Sequence, residues 1–201
     1  MQDPNELLSR IAGAVFISKI DLRQSFWQVK LQEESQKYTG FQCEFGCFSY
    51  KKMCMGLKNA SFTMQRLIDR LLRGAHRFAG ALLDDVIVYD NDFQLHLDHV
   101  RDIFDRLRSG GLTANGGKGT LGASCLRVLG HLVQDGYILP DEQKTSAIAI
   151  WLVPRTKKQL KRYLGLTSHF RGFIRDYAGI AHPLTELLRK RKSDRLNWGP
   201  E

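Results

Sequence analysis

The sequence contains no apolar run long enough to span a membrane, and its first ten residues are polar. A secretory leader would place basic residues before an apolar stretch, so we expect an intracellular chain with no membrane partner. Cysteine is also scarce, with four residues at irregular positions: Cys43, Cys47, Cys54 and Cys125. This spacing argues against a disulfide framework and offers no second pair of zinc ligands. We therefore expect the cysteines to be small core or hairpin residues.

Acidic residues are outnumbered, and the imbalance is confined to one end of the chain. The formal net charge is +9, from 30 Lys and Arg against 21 Asp and Glu. The segment from Arg155 to Arg195 holds 12 of the basic residues and 3 of the acidic ones, so it carries the whole excess. Charge concentrated in this way is typical of a surface that contacts nucleic acid. A basic face that is merely solvated is the alternative.

The length of 201 residues and a hydrophobic content of 43% allow one or two domains with a sizeable core. Apolar periodicity predicts strands within residues 15–21, 26–31, 38–50, 81–89 and 126–139, and helices within residues 58–74, 95–110, 142–151 and 157–173. This order predicts an α+β fold in which helices pack on one face of an antiparallel sheet. We place a domain boundary near Pro140.

Two adjacent aspartates, Asp84 and Asp85, separate the apolar runs 81–83 and 86–89. Two residues between strands is the commonest hairpin loop length, so we predict a hairpin with both carboxylates at its turn. Neighbouring carboxylates repel each other unless a cation neutralises them, and Mg2+ prefers oxygen ligands. An exposed charged turn is the simpler alternative.

A second apolar strand, residues 15–20, is also followed by an aspartate, Asp21. If the two strands are neighbours in one sheet, their aspartates would meet at a common edge. That arrangement suits a two-metal site for phosphoryl transfer, in which the metals lie ~3.5–4 Å apart. We therefore expect the carboxylates of Asp21 and Asp84 to lie close enough to share a cation.

Five short motifs extend this pattern along the chain. They are Ile20-Asp21-Leu22-Arg23, Gly56-Leu57-Lys58-Asn59-Ala60, Leu82-Leu83-Asp84-Asp85, Val128-Leu129-Gly130-His131 and Tyr163-Leu164-Gly165-Leu166. In order and spacing they resemble the polymerase motifs of reverse transcriptases, and the chain is similar to gypsy-type LTR retrotransposon polymerases from about Leu7 to Trp198. The resemblance implies a polymerase palm with partial fingers over residues 1–139. It implies a mainly helical thumb and the start of the connection over residues 140–201.

The resemblance also implies a role for each matched position. Asp21, Asp84 and Asp85 would be catalytic and would hold Mg2+ or Mn2+ together with the backbone carbonyl of Leu22. The positions that would contact primer and template are Leu82, Val128, Leu129, Gly130, His131, Lys157, Lys158, Lys161 and Arg162.

The incoming nucleotide would be contacted by Phe26, Met55, Gly56 and Gln65. Phe26 falls where the family places an aromatic ring under the sugar, which excludes a 2′-hydroxyl. An ordinary core aromatic is the alternative for this residue. The implied activity is RNA-directed DNA polymerase, which transfers deoxynucleotides from their triphosphates to a DNA primer on an RNA template.

Two departures from the family pattern leave a second function open. Leu82 stands where the family usually has Tyr, and the upstream fingers strands have no counterpart before Asp21. We expect either a fragment of a larger polyprotein with RNase H and integrase segments, or a degenerate copy of one. The first would act in the cytoplasm, the nucleus or a virus-like particle. The second would be an inactive remnant that binds nucleic acid through its basic thumb.

A pair of histidines, His96 and His99, lies within the second predicted helix. The pair lacks the intervening glutamate and the spacing of a zinc protease helix. We expect both to be surface residues.

Overall fold

The computed structural model describes residues 4–189, 196 and 198 and divides into two compact units, Met1–Leu139 and Pro140–Glu201. Several charges of the basic segment, and most of the predicted start of the connection, lie outside the described residues; these charges are Lys190, Arg191, Lys192, Asp194 and Arg195. Within the part of the chain that is described, no helix has the length and apolar character needed to cross a membrane.

The helices and strands follow the chain in this order. The first unit contains α1 (Pro4–Ile11), β1 (Phe16–Asp21), α2 (Glu33–Gln36), β2 (Phe41–Cys43), β3 (Gly46–Phe48), α3 (Ala60–Leu71), β4 (Ala79–Leu82), β5 (Asp85–Asp90), α4 (Phe93–Ser109), β6 (Thr120–Ala123), β7 (Cys125–Val128), β8 (His131–Gln134) and all but the last residue of β9 (Tyr137–Pro140). The second unit contains α5 (Glu142–Ala149), α6 (Lys157–Ser168) and α7 (Tyr177–Arg189).

A four-stranded antiparallel sheet in the order β4-β5-β1-β6 forms the centre of the first unit. Its two middle strands are rich in Ile and Val, which fit a pleated and buried surface. The register of β1 on β5 places Phe16 opposite Asp90 and Asp21 opposite Asp85. The predicted hairpin is therefore formed by β4 and β5, and β1 is its neighbour. The turn lies one residue earlier than predicted: Leu83 and Asp84 form it, and Asp85 pairs with Leu82 as the first residue of β5.

One face of this sheet carries the larger core. Ile20, Val86 and Val88 project from it and pack against the apolar stripes of α3 and α4. The stripes are Met64 and Ile68 of α3, continued by Leu72 just after the helix ends, and Val100, Ile103 and Leu107 of α4. Both helices and their packing on one face of an antiparallel sheet confirm the α+β prediction.

The opposite face carries a second core that the sequence pattern did not reveal. Ile17, Ile87 and Tyr89 project from it and pack with Leu7, Leu8 and Ile11 of α1 and with Val128 and Val133 of the β7–β8 hairpin. Burial raises the pKa of the Tyr89 phenol, whose hydroxyl donates to the carbonyl of His76. Helix α1 was missed because it has only eight residues in a polar stretch. It packs close to β4, since a Cβ on Gly80 would collide with Leu7 Cδ1.

The segment after β1 departs from the strand predicted over residues 26–31. Ser25–Gln28 forms a 3-10 turn closed by a hydrogen bond from Trp27 N–H to the Gln24 carbonyl. This turn packs Phe26 and Val29 against the larger core, which a flat strand would not do. The stretch 38–50 contains the short β2–β3 hairpin with Gly46 at φ +123°. Cys43 and Cys47 lie exposed on that hairpin, and all four cysteines are free.

The second unit is helical over its described residues. Helix α6 begins with a capping box, in which Thr156 Oγ1 accepts from Gln159 N–H and the Gln159 side chain accepts from Thr156 N–H. The helix ends at Ser168, earlier than predicted, and Arg171–Phe173 forms a 3-10 turn. The hydroxyls of Thr167 and Tyr177 lie 2.8 Å apart and link α6 to α7.

The prediction that His96 and His99 are surface residues is wrong for His96. Its side chain is fully buried, with Nδ1 2.8 Å from Asp90 Oδ2 and Nε2 2.7 Å from Ser18 Oγ. His99 Nδ1 lies 2.7 Å from Asp90 Oδ1, and its ring stacks on Phe78. Each oxygen of the Asp90 carboxylate is therefore hydrogen-bonded to one of the two imidazole rings. Their spacing places both on the same side of α4, where Asp90 at the end of β5 is their partner.

A β-bulge explains why Ser18 joins this network. Ile17 pairs with Ala123 and Lys19 with Thr120, so β6 has one extra residue between the two pairs. Gly122 N–H, inside the bulge, donates to Ser18 Oγ at 2.9 Å. Because a carboxylate accepts hydrogen bonds, His96 Nδ1 donates to Asp90, while His96 Nε2 and the Ser18 hydroxyl share a second hydrogen bond. One chain of hydrogen bonds thus connects β6, β1, α4 and β5.

We predict that His96→Ala destabilises the protein by about 2–4 kcal/mol, because it opens a cavity and leaves buried Ser18 and Asp90 groups without their partner. The free energy of unfolding in urea, measured by circular dichroism, tests this. His76→Ala is the matched control, since the His76 side chain is exposed. Equal destabilisation by the two substitutions would contradict a structural role for the network.

Candidate active site

Asp21 and Asp85 face each other across the β1–β5 pair. Leu22 N–H donates to the Asp84 carbonyl at 3.0 Å, so Asp21 and Asp85 form a non-hydrogen-bonded pair. Such pairs bring Cα atoms to about 4.5 Å and their side chains closest together. Both aspartates are half-buried and point to the same face as Ile17 and Ile87. Two carboxylates therefore stand side by side where the second core ends.

Asp84 occupies the hairpin turn with Leu83, whose φ of +57° is left-handed. A buried side chain of α3, Gln65, holds this turn. Its Oε1 accepts from Leu83 N–H at 2.9 Å, and its Nε2 donates to the Ala81 carbonyl at 3.0 Å. The Gln65 amide also donates to Asp69 Oδ1 at 2.8 Å. Gln65 thus fixes the strained backbone beside Asp84, and its predicted contact with a nucleotide stays a prediction.

The end of β1 is held on its other side by the loop that follows α4. Asn115 N–H donates to the Asp21 carbonyl at 2.7 Å, and Arg23 N–H donates to the Thr113 carbonyl at 3.0 Å. The Gln28 side chain accepts from Thr113 N–H and donates to the carbonyls of Thr113 and Arg23. Sequence reasoning missed these contacts. Neither Gln28 nor Asn115 belongs to a pattern that points to the aspartates.

A lysine completes the group of charges on this face. Lys19 Nζ lies 2.7 Å from Asp85 Oδ2, and the two side chains are 26% and 23% exposed. Lys19 is paired with Ile87, so Asp85 is its diagonal cross-strand neighbour. Lys19 lies just before the first of the five sequence motifs and belongs to none of them. Its position beside the aspartates could have been predicted, because strand alternation places residues 19 and 21 on the same face of β1.

The donor set fits a hard divalent cation. Asp21 and Asp85 present carboxylate oxygens on one face, Asp84 is exposed next to them, and an ammonium already lies against Asp85. Among the described residues, no hydrogen bond ends on the Leu22 carbonyl, so it too is available as a ligand. The same residues contain no cluster of three or more His, Cys, Asp or Glu that would hold a metal. The close approach of Asp21 to Asp84 therefore stays a prediction.

The other positions expected near the nucleotide lie in different settings. Phe26 is in the 3-10 turn just after Asp21 and is partly buried against the larger core. Met55 is 70% exposed. Gly56, beside it, has φ +89° and open space where a Cβ would be. Their contacts with a nucleotide stay predictions.

The motif at Val128–His131 forms a tight turn between β7 and β8. Val128 pairs with His131, and the two turn residues Leu129 and Gly130 have φ of +52° and +80°, as in type I′ hairpins. Val128 and His131 are buried. Leu129 and Leu82 both pack against the second core, the core that ends at the aspartates.

The basic positions of the second unit lie in the first turns of α6. Lys158, Lys161 and Arg162 are exposed and Lys157 is half-buried, while Leu160 faces inward. Positive side chains are unfavourable at a helix N-terminus, because the macrodipole places positive charge there. This arrangement therefore suits binding of an anion more than helix stability.

Comparison with known proteins identifies the family. Residues 1–133 match the family described as reverse transcriptase (RNA-dependent DNA polymerase). The chain belongs to the reverse transcriptase family. This confirms the family resemblance drawn from the five motifs.

Relatives of this reverse transcriptase segment are transposon polyproteins. Retrovirus-related Pol polyproteins of Drosophila melanogaster from transposons opus and 297 are 34% and 32% identical over 188 residues. The match covers 93% of this chain and 19% and 18% of those polyproteins. The transposon Tf2-3 polyprotein of Schizosaccharomyces pombe is 26% identical over 196 residues, which are 97% of this chain and 15% of that protein. The chain thus spans less than a fifth of these relatives.

Solved structures show the same fold. A foamy viral protease-reverse transcriptase in complex with double-stranded DNA matches with a TM-score of 0.92 at 22% identity, over 99% of this chain and 35% of that one. The foamy viral enzyme in complex with an RNA/DNA hybrid matches with a TM-score of 0.82 at 22% identity, over 96% of this chain and 26% of that one. The polymerase palm predicted from the motifs is confirmed. Reverse transcriptases as a family use divalent metal ions.

We predict that Gln65→Ala lowers the free energy of unfolding by about 2 kcal/mol, because Leu83 N–H and the Ala81 carbonyl lose a buried partner. Thermal and urea unfolding measure this change. Gln94→Ala makes the same substitution at an exposed position of α4 and should change stability by less than about 0.5 kcal/mol. A Gln65 variant as stable as the Gln94 variant would show that the turn does not need this clamp.

Proposed function

We propose that this chain is the polymerase segment of a retrotransposon Pol polyprotein and acts as an RNA-directed DNA polymerase. The observation that supports this most is the β1–β5 register, which sets Asp21 opposite Asp85 and leaves Asp84 in the adjoining turn. The substrates would be deoxynucleoside triphosphates, with an RNA template and a DNA primer. Template pairing would select each base, so the protein itself needs no base-specific contact.

In the reaction the primer 3′-hydroxyl loses its proton to water and its oxygen bonds to the α-phosphorus of the triphosphate. The bond from the α-phosphorus to the bridging oxygen breaks, and pyrophosphate leaves with that oxygen. Asp21, Asp84, Asp85 and the Leu22 carbonyl would hold Mg2+, or alternatively Mn2+. Two bound cations would neutralise negative charge on the attacking and leaving oxygens. The chain's own part is to fix these carboxylates beforehand, which Gln65 and Asn115 do through the backbone on either side.

The two compact units correspond in this proposal to a palm with partial fingers, Met1–Leu139, and a thumb with the start of the connection, Pro140–Glu201. Phe26 would lie under the sugar of the nucleotide and exclude a 2′-hydroxyl. Its place in a turn directly after β1 supports this role. Met55 and Gly56 are exposed in a loop before α3 and would contact the nucleotide.

Contacts to the primer and template would come from both units. Leu82 and the turn Val128–His131 would border the primer. This placement is supported by the packing of Leu82, Val128 and Leu129 in the second core, which ends at the aspartates. The α6 side chains Lys157, Lys158, Lys161 and Arg162 would bind phosphates. Phosphate contacts carry no sequence information, as a polymerase requires. RNase H and integrase segments would accompany this chain in an intracellular polyprotein.

A non-catalytic protein that binds nucleic acid is the second candidate. It is favoured by one observation, the ion pair between Lys19 and Asp85, which engages one of the three aspartates. The basic side chains of α6 (Lys157, Lys158, Lys161 and Arg162), which we call the α6 basic face, belong to the other unit. Nucleic-acid binding through this face could therefore persist without catalysis.

We predict that Asp84→Asn abolishes primer extension on an RNA template in Mg2+ or Mn2+, because it removes a carboxylate charge from the site. The length of extended, labelled primer on a gel is the measurement. Asp98→Asn, an exposed position on α4, is the matched control and should extend as the unsubstituted chain does. Extension by the Asp84 variant would reject the assigned site. Failure of the unsubstituted chain with retained duplex binding would favour the second candidate.

We also predict that the triple change Lys158→Gln, Lys161→Gln and Arg162→Gln weakens duplex binding and its salt dependence. Loss of three phosphate contacts should reduce the slope of log K against log [salt] by about 2–3. Fluorescence anisotropy with a labelled duplex, titrated at several salt concentrations, gives this slope.

The control for this experiment replaces three exposed arginines of α3 and α4, Arg70, Arg101 and Arg108, with glutamine. It removes the same charge from the other unit. If both triple variants lower the slope equally, net charge rather than the α6 face determines binding.

A further inference from the structure

We propose that Lys19 is an internal counter-ion of the aspartate site, which orients Asp85 and lowers the affinity of the site for a divalent cation. The inference rests on the proposed function, since it concerns the same carboxylates. It goes further by assigning a positioning role to a residue outside the five sequence motifs. Its basis is the contact between Lys19 Nζ and Asp85 Oδ2 at 2.7 Å.

The position of Lys19 follows from the strand itself. Ile17, Lys19 and Asp21 alternate onto one face of β1, and their partners Tyr89, Ile87 and Asp85 occupy the same face of β5. Ile17 is fully buried, Lys19 is partly exposed, and the strand ends at Asp21. Lys19 therefore stands at the border between the second core and the aspartates, with its stem over apolar surface and its ammonium at the carboxylates.

The charges on this face explain why a cation is needed there. Asp21 and Asp85 are a non-hydrogen-bonded pair, the cross-strand arrangement that brings side chains closest, and like charges in that position repel. Asp84, next in the chain, adds a third negative charge. The Lys19 ammonium neutralises one of these three negative charges, and so reduces the electrostatic repulsion within the folded chain.

Through the same contact, Lys19 competes with a divalent cation for the Asp85 carboxylate. Asp85 Oδ2, which accepts from the ammonium, is also an oxygen that a divalent cation would use. A cation that binds must share Asp85 with Lys19 or displace it, and it meets a site with a lower net negative charge. Asp21 has no corresponding ion pair among the described residues, so it is the carboxylate that is more open to metal.

An ordinary surface ion pair is the competing explanation. Exposed pairs contribute little, because water screens them and both side chains lose freedom. The Lys19–Asp85 pair differs in being about three-quarters buried on both sides. The two explanations differ in the metal affinity that they predict: removal of a counter-ion raises the affinity for a divalent cation, whereas removal of a screened surface pair leaves it nearly unchanged.

The experiment measures Mn2+ binding to the chain without nucleotide or primer, by electron paramagnetic resonance of free Mn2+. Lys19→Met should bind Mn2+ about tenfold more tightly than the unsubstituted chain, since one positive charge leaves the site. It should also melt at lower temperature in EDTA, and Mn2+ should restore the melting temperature more than it does for the unsubstituted chain. Lys19→Arg keeps the charge and should retain the original affinity.

Lys30→Met is the matched control, because Lys30 is exposed and the substitution removes the same charge. Equal Mn2+ affinity in the Lys19→Met and Lys30→Met variants would overturn the inference, as would weaker binding by Lys19→Met. A second comparison does not depend on the folding of Lys19→Met. Asp85→Asn should weaken Mn2+ binding less than Asp21→Asn does, and an equal loss would also overturn the inference.

These outcomes are separate from those of the polymerase proposal. If the chain fails to extend a primer but the Mn2+ affinities follow the expected order, the counter-ion role stands and the catalytic proposal fails. If the chain extends primers while Lys19→Met leaves Mn2+ affinity unchanged, only the counter-ion role fails.

Discussion

The antiparallel pairing of β1 with β5 is the contact on which the first unit depends. It joins the strands through six residue pairs, from Phe16 with Asp90 to Asp21 with Asp85. Because side chains alternate across a sheet, this register divides the apolar residues between two cores. The same alternation leaves Lys19, Asp21 and Asp85 together beyond the second core. A slip of one residue would exchange the faces and bury charge among apolar side chains. Fold and site are thus specified by the same pairing.

Polar side chains secure this register at both ends of the strands. At one end, Asp90 receives His96 and His99, and Ser18 connects the network to the bulge in β6. At the other end, Gln65 holds the hairpin turn and Asn115 holds the end of β1. Buried polar groups add little net stability when they are satisfied, but they are costly when their partners are displaced. Their effect is to penalise alternative registers more than to strengthen the native one.

Features encoded by local pattern were predictable from the sequence. The apolar runs around Asp84 and Asp85 predicted the hairpin, and the stripes before Gly74 and Gly110 predicted α3 and α4. The five motifs identified the family because their order is specific even where each is short. The 3-10 turn Ser25–Gln28 was predicted as a strand, since its apolar residues pack by tertiary contact and not by period. The contacts of His96, Gln65 and Lys19 join residues distant in sequence or on different strands, which local periodicity does not show.

The bulge in β6 has a consequence for how the molecule behaves at high concentration. β6 is the outer strand of the sheet and pairs with β1 at only two positions, with Gly122 at φ +60° between them. An outer strand that is regular and flat offers a row of amides and carbonyls to a neighbouring molecule. A strand that is short, twisted and interrupted by glycine offers no such row. Gly122, whose N–H donates to the Ser18 hydroxyl, therefore also protects this edge against strand addition and self-aggregation.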